Sequence, residues 1–154
     1  RDNRANYGDY PVKRAKLPDS VTEFLSHTTH EFHPERFEIS GDKLYYIPES
    51  FPTVRGLRIL RCGLYVGEIK KNRFEPSQSL AMALTKEEFD NCLDLPADDA
   101  TVIKYLKGET IDFDDASVKN GYVLVCVDGY PLGFGKANQG VLKNKYLPGW
   151  RLMS

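Results

Sequence analysis

The strongest constraint on the fold is an apolar run near the C-terminus that has high strand propensity. Residues 122–127 read Tyr-Val-Leu-Val-Cys-Val and end at Asp-Gly, residues 128–129, a pair that favours a tight turn between strands. A second strand is predicted through Leu132 and Phe134, and a third at residues 141–143. We expect these strands to pair in one sheet.

Strands are also predicted in the N-terminal half of the chain. Residues 37–47 form a predicted hairpin around a Ser-Gly-Asp turn, and residues 57–61 alternate apolar and basic side chains as a half-buried strand does. A further strand after Gly63 leads into the basic residues 70–73. Because strands dominate both ends and no regular βαβ alternation occurs, the predicted fold class is α+β, a small mixed β-barrel or sheet with a few short helices.

Short helices are predicted between the two groups of strands. Two begin at capping boxes, Ser-Val-Thr-Glu at residues 20–23 and Thr-Lys-Glu-Glu at residues 85–88. A third follows Pro-Ser at residues 76–77, and a fourth begins at residue 98 or 99 and ends at Gly108. The fourth helix is expected to bury a stripe made of Val102, Ile103 and Leu106.

The composition is that of a soluble protein that buries a core. Of the 154 residues, 41% are hydrophobic, and the formal net charge is −1. No run of about 18 apolar residues is available for a membrane-spanning helix, so no membrane partner is expected. Cys62, Cys92 and Cys126 lie among apolar neighbours, and we expect reduced core thiols in a cytoplasmic protein. Because the sequence begins at Arg1 rather than Met, we also expect a longer parent protein.

Charge is strongly segregated along the chain. Residues 55–76 contain six bases and two acids, and residues 129–154 contain four bases and no acid. Between them, residues 85–115 contain ten acids and three bases. Two basic segments around an acidic one predict a polar molecule with one face suited to phosphates, unless the charges are scattered over the surface.

The C-terminal stretch, residues 140–151, has side chains suited to RNA. Its lysines can neutralise phosphates, Asn144 can pair with a base edge, and Tyr146 can stack on an unpaired base. Alternatively, the aromatic side chains fill the core, which is the role that we favour for Trp150. Glycines 133 and 135 indicate close approach to a strand, either by RNA or by another segment of the chain.

No catalytic centre or metal site is predicted. His27, His30 and His33 lie three apart, but no cysteine is near them, so they are interpreted as a surface cluster. Gly-Phe-Gly-Lys at residues 133–136 lacks the spacing of a phosphate-binding loop. No Ser-His-Asp order, paired catalytic carboxylates or activated cysteine is present, and no catalytic residue is assigned.

Several longer motifs resemble the C-terminal region of RsmF-type (Sun-family) ribosomal RNA cytosine-5 methyltransferases. Leu-Arg-Cys-Gly-Leu-Tyr-Val-Gly-Glu at residues 60–68 and Arg-Phe-Glu-Pro-Ser at residues 73–77 resemble the first C-terminal segment of that family. Tyr-Leu-Lys-Gly-Glu, residues 105–109, fits the pattern that follows. The motifs that resemble the family's PUA-like module are residues 121–125, 128–136, 142–144 and 148–151.

Residues 1–18 are polar and lack periodicity, which predicts a linker. The resemblance implies a first α+β segment at 19–96 and a PUA-like RNA-binding module at 97–154, the two packed as one unit. It implies that the parent binds S-adenosylmethionine in an upstream Rossmann-like domain and methylates carbon 5 of a cytosine in small-subunit ribosomal RNA. The catalytic motifs of that domain have no counterpart here, so this chain is expected to be non-catalytic and to carry no cofactor. Its expected partners are that RNA, not DNA, and the methyltransferase domain in cis.

The predicted RNA contacts combine motif position with charge. The resemblance carries over Lys136, Lys143, Asn144 and Arg151. The full set of RNA-binding candidates is Arg58, Arg61, Lys70, Lys71, Arg73, Tyr130, Lys136, Lys143, Asn144, Lys145, Tyr146 and Arg151.

One continuous basic face is expected, opposite the acidic segment, with Tyr130 or Tyr146 exposed on it for stacking. Its expected members are Arg58, Lys70, Arg73, Lys136, Lys143 and Lys145. The main alternative is a docking domain that packs on the catalytic core or on a ribosomal protein, which a large exposed apolar patch would favour. An independent enzyme would instead need a pocket with perturbed titratable groups.

Overall fold

A computed structural model describes residues 16–30, 32–47 and 63–153. Within them the chain forms two β-sheets with three short helices, as the predicted α+β class requires. The strand predicted at residues 57–61 lies outside the described residues, together with Arg58, Arg61 and Cys62.

The first sheet is antiparallel and has the strand order β1-β2-β3-β4. The predicted hairpin at residues 37–47 is confirmed as β1 and β2. Gly41 and Asn72 have φ values of 65° and 62°, the left-handed conformation that tight turns favour in glycine and asparagine. The strands are β1 (Phe37–Ser40), β2 (Lys43–Tyr46), β3 (Leu64–Lys70) and β4 (Arg73–Pro76).

The second sheet is a curled five-stranded half-barrel with the order β5-β7-β8-β9-β6. Only β5 runs parallel to its neighbour, β7, and the other pairings are antiparallel. Asp128 and Gly129 both have positive φ, 47° and 85°, as the turn predicted between β7 and β8 requires. The strands are β5 (Cys92–Leu95), β6 (Ile111–Asp112), β7 (Gly121–Val127), β8 (Tyr130–Asn138) and β9 (Val141–Asn144).

Local capping explains where most of the helices begin. The Ser77 hydroxyl accepts a hydrogen bond from the Leu80 amide at 2.9 Å, and the Asp99 carboxylate accepts one from the Thr101 amide at 2.9 Å. The capping box at residues 85–88 is confirmed and starts a single 3-10 turn. The helices are α1 (Asp19–Leu25), α2 (Gln78–Ala83) and α3 (Ala100–Leu106), with 3-10 turns at Pro34–Arg36, Lys86–Glu88 and Pro148–Trp150.

Two predictions about helices are wrong. Helix α1 begins at Asp19 rather than after Ser20, so Ser20 lies inside the helix and no side chain caps it. In α3, Ile103 is 48% exposed and Tyr105 is fully buried, because the buried stripe follows positions 102 and 105. None of the helices in the described ranges is long and apolar enough to cross a membrane.

Strand β7 contributes to two apolar cores, one on each face, which explains its continuous apolar sequence. Val123 and Val125 pack on α3 and β9, whereas Leu124 and Cys126 face the first sheet. The core that contains Leu124 and Cys126 joins the two halves of the chain, since it also holds Phe24 from α1 together with side chains from β1 to β4. Burial of each such large apolar side chain contributes roughly 1.5–3 kcal/mol to stability.

Candidate RNA-binding surface

Three side chains form a row across β7, β8 and β9. Tyr122 is paired in register with Lys136, and Lys136 with Lys143. The Lys136 ammonium nitrogen lies 5.3 Å from the centroid of the Tyr122 ring, within the range of a cation–π contact. The row therefore presents one exposed cation over an aromatic ring and a second exposed cation, Lys143, beside the first.

Two further cations lie within electrostatic range of this row. Lys145 is half-buried, and its pKa lies below the ordinary value, chiefly because of burial and also because of the positive charges of Lys143, Lys136 and Arg73. The nearby Glu75 carboxylate opposes that shift. We call Arg73, Lys136, Lys143 and Lys145 the basic cluster.

A hydrogen bond from the hydroxyl group of Tyr122 links the second sheet to the first, next to the basic cluster. The hydroxyl group donates to the Phe74 carbonyl oxygen at 3.0 Å, next to Arg73 on β4. Burial is the main cause that raises the pKa of Tyr122 to about 12, so the phenol remains a neutral donor. The tyrosine thus bridges the sheets that carry the two basic segments.

The cations of this surface are not neutralised by the acidic segment at residues 85–115. Arg73 pairs with Glu75 at 3.4 Å, and Lys70 pairs with Glu68 at 3.4 Å, both along their own strands. Within residues 63–153, Lys136, Lys143 and Lys145 form no ion pair. The structure therefore brings together four of the six residues expected on the basic face, the members of the basic cluster. Lys70 lies opposite Arg73 at the turn that also contains Lys71. Arg58 lies outside the described residues.

Neither tyrosine expected on this face lies there. Tyr130 is 74% exposed, but it precedes Lys136 by six residues on β8, which corresponds to about 20 Å along a strand. Tyr146 is buried against Tyr105, with ring centroids 5.2 Å apart. The predicted placement of an exposed Tyr130 or Tyr146 among the basic residues is wrong.

The proposed base contact of Asn144 is replaced by contacts within the chain. Its amide nitrogen donates to the carbonyl oxygens of Tyr105 at 2.9 Å and Glu109 at 3.0 Å, and its amide oxygen accepts from the Tyr146 amide at 2.7 Å. Arg151 likewise donates from Nε to the Tyr146 carbonyl oxygen at 3.1 Å. Both side chains hold the C-terminal segment in place. These bonds engage both amide hydrogens of Asn144 and leave it no donor for a base edge, whereas the RNA contact of Arg151 stays a prediction.

The C-terminal segment also exposes apolar side chains. Trp150 is 52% exposed and contacts Tyr146 edge-on, with ring centroids 6.3 Å apart, so its predicted burial in the core is wrong. Leu147, Leu152 and Met153 are exposed as well. These side chains form a surface that differs in character from the basic cluster.

Protein atoms, rather than open space, lie against the two strand glycines. A Cβ atom at Gly133 would collide with the hydroxyl of Tyr105, which donates to the Phe134 carbonyl oxygen at 2.8 Å. A Cβ atom at Gly135 would lie 2.6 Å from Cγ of Leu142. Gly133 and Gly135 therefore allow close approach by another segment of the chain, which was one of the two interpretations, rather than by RNA.

Two of the three histidines, His27 and His30, lie close to carboxylates. The Nδ1 atom of His27 lies 3.0 Å from Asp90, and its Nε2 atom lies 3.1 Å from Glu23. These hydrogen bonds, with Asp90 first, raise the pKa of His27. His30 lies 3.5 Å from Glu88. Within the described ranges no group of histidine, cysteine or acidic side chains is arranged to hold a metal ion.

Next to the basic cluster lies a cleft of about 280 Å³ that sequence reasoning missed. Tyr65, Glu68 and Glu75 line it from the first sheet, and Lys145 and Leu147 line it from the C-terminal part of the chain. These residues are far apart in sequence. The charge pattern indicated only that the two glutamates offset part of the positive charge of residues 55–76. The ring of Tyr65 is itself paired with that of Tyr45, with ring centroids 5.4 Å apart.

Comparison with known proteins places both sheets in one family. The model for the RsmF rRNA methyltransferase first C-terminal domain matches residues 23–84, and the model for the methyltransferase RsmF PUA domain matches residues 92–152.

Curated relatives agree with the two models. Ribosomal RNA small subunit methyltransferase F of Shewanella oneidensis is 29% identical over 115 residues, which cover 74% of this chain and 24% of that protein. Its namesake from Shewanella loihica is 31% identical over 104 residues, 67% of this chain and 21% of that protein. The chain thus spans about a quarter of the length of these relatives. It belongs to the RsmF family of ribosomal RNA methyltransferases and represents their C-terminal region.

Proposed function

We propose that this chain is a non-catalytic RNA-binding region that positions ribosomal RNA for a methyltransferase domain in the same polypeptide. The observation that carries the proposal is the basic cluster, in which cations from two sheets and two distant segments share one surface. Lysine and arginine contacts to phosphates supply most of the sequence-independent affinity for RNA. The names of the relatives indicate that the RNA is that of the small ribosomal subunit.

Electrostatic repulsion within the cluster supports an anionic partner. Burial is the chief cause that lowers the pKa of Lys145, and the positive charges of Lys143, Lys136 and Arg73 lower it further, against the opposing effect of Glu75. A phosphate backbone laid across Lys136, Lys143 and Lys145 would relieve that repulsion and release bound counterions.

In this proposal the chemistry belongs to the part of the parent that lies outside this chain. In support of this, the two strand-to-helix connections within the described residues, at residue 77 and at residues 96–99, contain no glycine for a methyl-donor loop. The upstream domain would bind the methyl donor and methylate carbon 5 of a cytosine in the cytoplasm, while this chain would hold the RNA.

The salt dependence of binding tests this proposal. We expect the chain to bind fragments of small-subunit ribosomal RNA with an affinity that falls as salt rises. Replacing Lys143 and Lys145 together by Ala should flatten the slope of log affinity against log salt by about 0.7 to 0.9 for each phosphate that the variant no longer neutralises. Fluorescence anisotropy over a salt series measures that slope.

A matched control removes the same charge elsewhere. Lys104 and Lys107 are exposed on and after α3, beside the acidic segment, and the variant with both replaced by Ala should keep the slope of the unmodified chain. Equal slopes in both double variants, or no binding at low salt, would refute the proposal. A changed melting temperature without a changed slope would assign the two lysines to the fold.

A docking role is the second candidate, and the exposed apolar side chains of the C-terminal segment favour it. Leu147, Trp150, Leu152 and Met153 are all exposed. Replacing Leu152 and Met153 by Ser should then weaken association with the separately expressed methyltransferase domain of the parent, measured by calorimetry, and leave the RNA salt slope unchanged. Unchanged association would contradict this role.

A further inference from the structure

The cleft beside the basic cluster combines an aromatic wall with charged groups of both signs. Its volume is about 280 Å³, close to the lower end of the range of small-molecule sites. Tyr65 contributes the ring, Glu68 and Glu75 contribute carboxylates, and Lys145 contributes an ammonium group. A phosphate bound by the basic cluster would place the attached nucleotide next to this opening.

Some polar groups of the cleft are already engaged within the protein. The Ser77 hydroxyl donates to the Tyr65 carbonyl oxygen and accepts from the Leu80 amide. The Gln78 side chain donates to the Leu132 carbonyl oxygen and accepts from the Leu147 amide. These bonds fix the cleft wall and leave the carboxylates, the ammonium group and the phenol of Tyr65 for a ligand.

The two carboxylates are held in place but keep unused acceptor positions. Glu68 and Glu75 each lie 3.4 Å from one basic group of their own hairpin, Lys70 and Arg73, and their side chains are about 30% exposed. A carboxylate has two oxygens that together accept about four hydrogen bonds. Two carboxylates beside one lysine favour a ligand that has more hydrogen-bond donors than acceptors on the edge that faces the cleft.

We infer that this cleft receives the guanine base of an unpaired nucleotide in the bound RNA. This inference rests on the proposed function and adds base selectivity to it. Guanine has two adjacent donor groups, N1–H and the N2 amino group, which match both oxygens of one carboxylate. Its O6 and N7 atoms are acceptors that suit a lysine. Unpaired bases in RNA are recognised by such edge contacts together with stacking on aromatic side chains.

The other bases satisfy the cleft less well. Uracil has a single N–H donor between two carbonyl groups, so it would set acceptor against acceptor at the glutamates. Cytosine and adenine each have one amino group, and their adjacent ring nitrogen is an acceptor. Only guanine pairs both carboxylate oxygens at once.

The experiment compares short oligouridine strands that carry one central G, A, C or U, with anisotropy measured on the whole chain. We expect the strand with G to bind about tenfold more tightly than the strand with U. Glu75→Gln should reduce that ratio to near one. The ratio is the proper readout, because removal of a negative charge beside the basic cluster raises the affinity for every strand.

Glu87→Gln is the matched control, since Glu87 is exposed on the Lys86–Glu88 turn and makes the same change of charge away from the cleft. It should preserve the ratio. Salt-dependent binding without preference for G, or a preference that survives Glu75→Gln, would overturn the inference and leave the proposed function standing. Absence of binding to all four strands would overturn both.

Free nucleotide distinguishes a base site from a selective backbone contact. Guanosine monophosphate should compete with the G-containing strand at lower concentration than uridine monophosphate does. Equal competition by the two nucleotides would contradict a base-specific cleft.

Discussion

At the scale of single residues, Asn144 links three parts of the C-terminal fold. Its amide group contacts the carbonyl oxygens at the end of α3 and at Glu109, and it accepts the amide of Tyr146. Tyr146 in turn packs on Tyr105 under β8. One side chain therefore fixes the path by which the chain leaves β9.

We expect Asn144→Ala to destabilise the protein by about 1–3 kcal/mol, because two carbonyl groups and one amide lose their partner. Urea denaturation measures the change. Asn138→Ala is the matched control, since Asn138 is exposed at the end of β8, and it should change stability by less than about 0.5 kcal/mol. Loss of RNA affinity without loss of stability would return Asn144 to the RNA-binding candidates.

Asn144 and Tyr146 also show what a sequence leaves undecided about a residue. An amide and a tyrosine among lysines suit RNA, and they equally suit a backbone that needs hydrogen-bond partners. The choice depends on which carbonyl groups the fold brings within 3 Å, and those of Tyr105 and Glu109 are more than thirty positions away. Within the described residues the side chains of Lys136 and Lys143 make no such bonds, and their contact with RNA stays a prediction.

At the scale of elements, β8 and α3 are in contact through a glycine. Tyr105 reaches across Gly133 and donates to the Phe134 carbonyl oxygen, and burial strongly raises the pKa of its phenol. The absence of a side chain at Gly133 makes room for that hydroxyl, so helix and strand approach more closely than two ordinary residues allow.

Gly133→Ala should therefore destabilise the protein by about 1–3 kcal/mol, because the added methyl group displaces Tyr105 from a packed core. Thermal unfolding followed by circular dichroism tests this. Gly149→Ala is a suitable comparison, as a Cβ atom there meets nothing within 4 Å, and its melting temperature should stay close to that of the unmodified chain. Equal effects of the two substitutions would argue against the contact.

Elements with local signals were predictable, and those that depend on neighbours were not. The Asp-Gly turn and the caps at Ser77 and Thr85 act within a few residues, and the structure contains them. The buried face of α3 depends instead on where β8 lies, so Tyr105 rather than Ile103 points inward. The start of α1 at Asp19 rather than at residue 21 is a difference of two residues, and that was enough to remove Ser20 from the capping position.

At the scale of the whole molecule, His27 connects α1 to the segment that precedes β5. Its ring contacts Asp90, and its backbone carbonyl oxygen accepts the Asp90 amide at 2.9 Å. The pKa of His27 is raised in the folded protein, so its contribution to stability is fully present below its ordinary value of 6.5 and is lost as the pH rises through the folded value.

We expect stability to fall slightly between about pH 6 and pH 8, and His27→Gln to flatten that fall. The effect should stay below about 1 kcal/mol, since the side chain is 42% exposed and solvent screens the pair. Urea denaturation at several pH values measures it, and Asp90→Asn should flatten the profile in the same way. A His27 ring that titrates below 6.5 in an NMR experiment would contradict the assignment.

The arrangement of charge was predictable only in part at this scale. The two basic segments were visible in the sequence, and three of their lysines do share a surface with Arg73. The cleft was not visible, because Glu75 lies on β4 and Lys145 directly follows β9, and the two become neighbours only after both sheets pack on α1 and β7. Distances in space follow from that packing, which no short stretch of sequence encodes.

The apolar core that spans the two sheets has a consequence for how such proteins are inherited. Leu124, Cys126 and Phe134 of the second sheet are covered by side chains from the region that matches the first family model. A recombination event with its breakpoint between residues 84 and 92 would give each daughter gene a product with a bare apolar surface, prone to aggregate and to be degraded. Selection should therefore keep the two modules side by side, so that they pass from gene to gene as a pair.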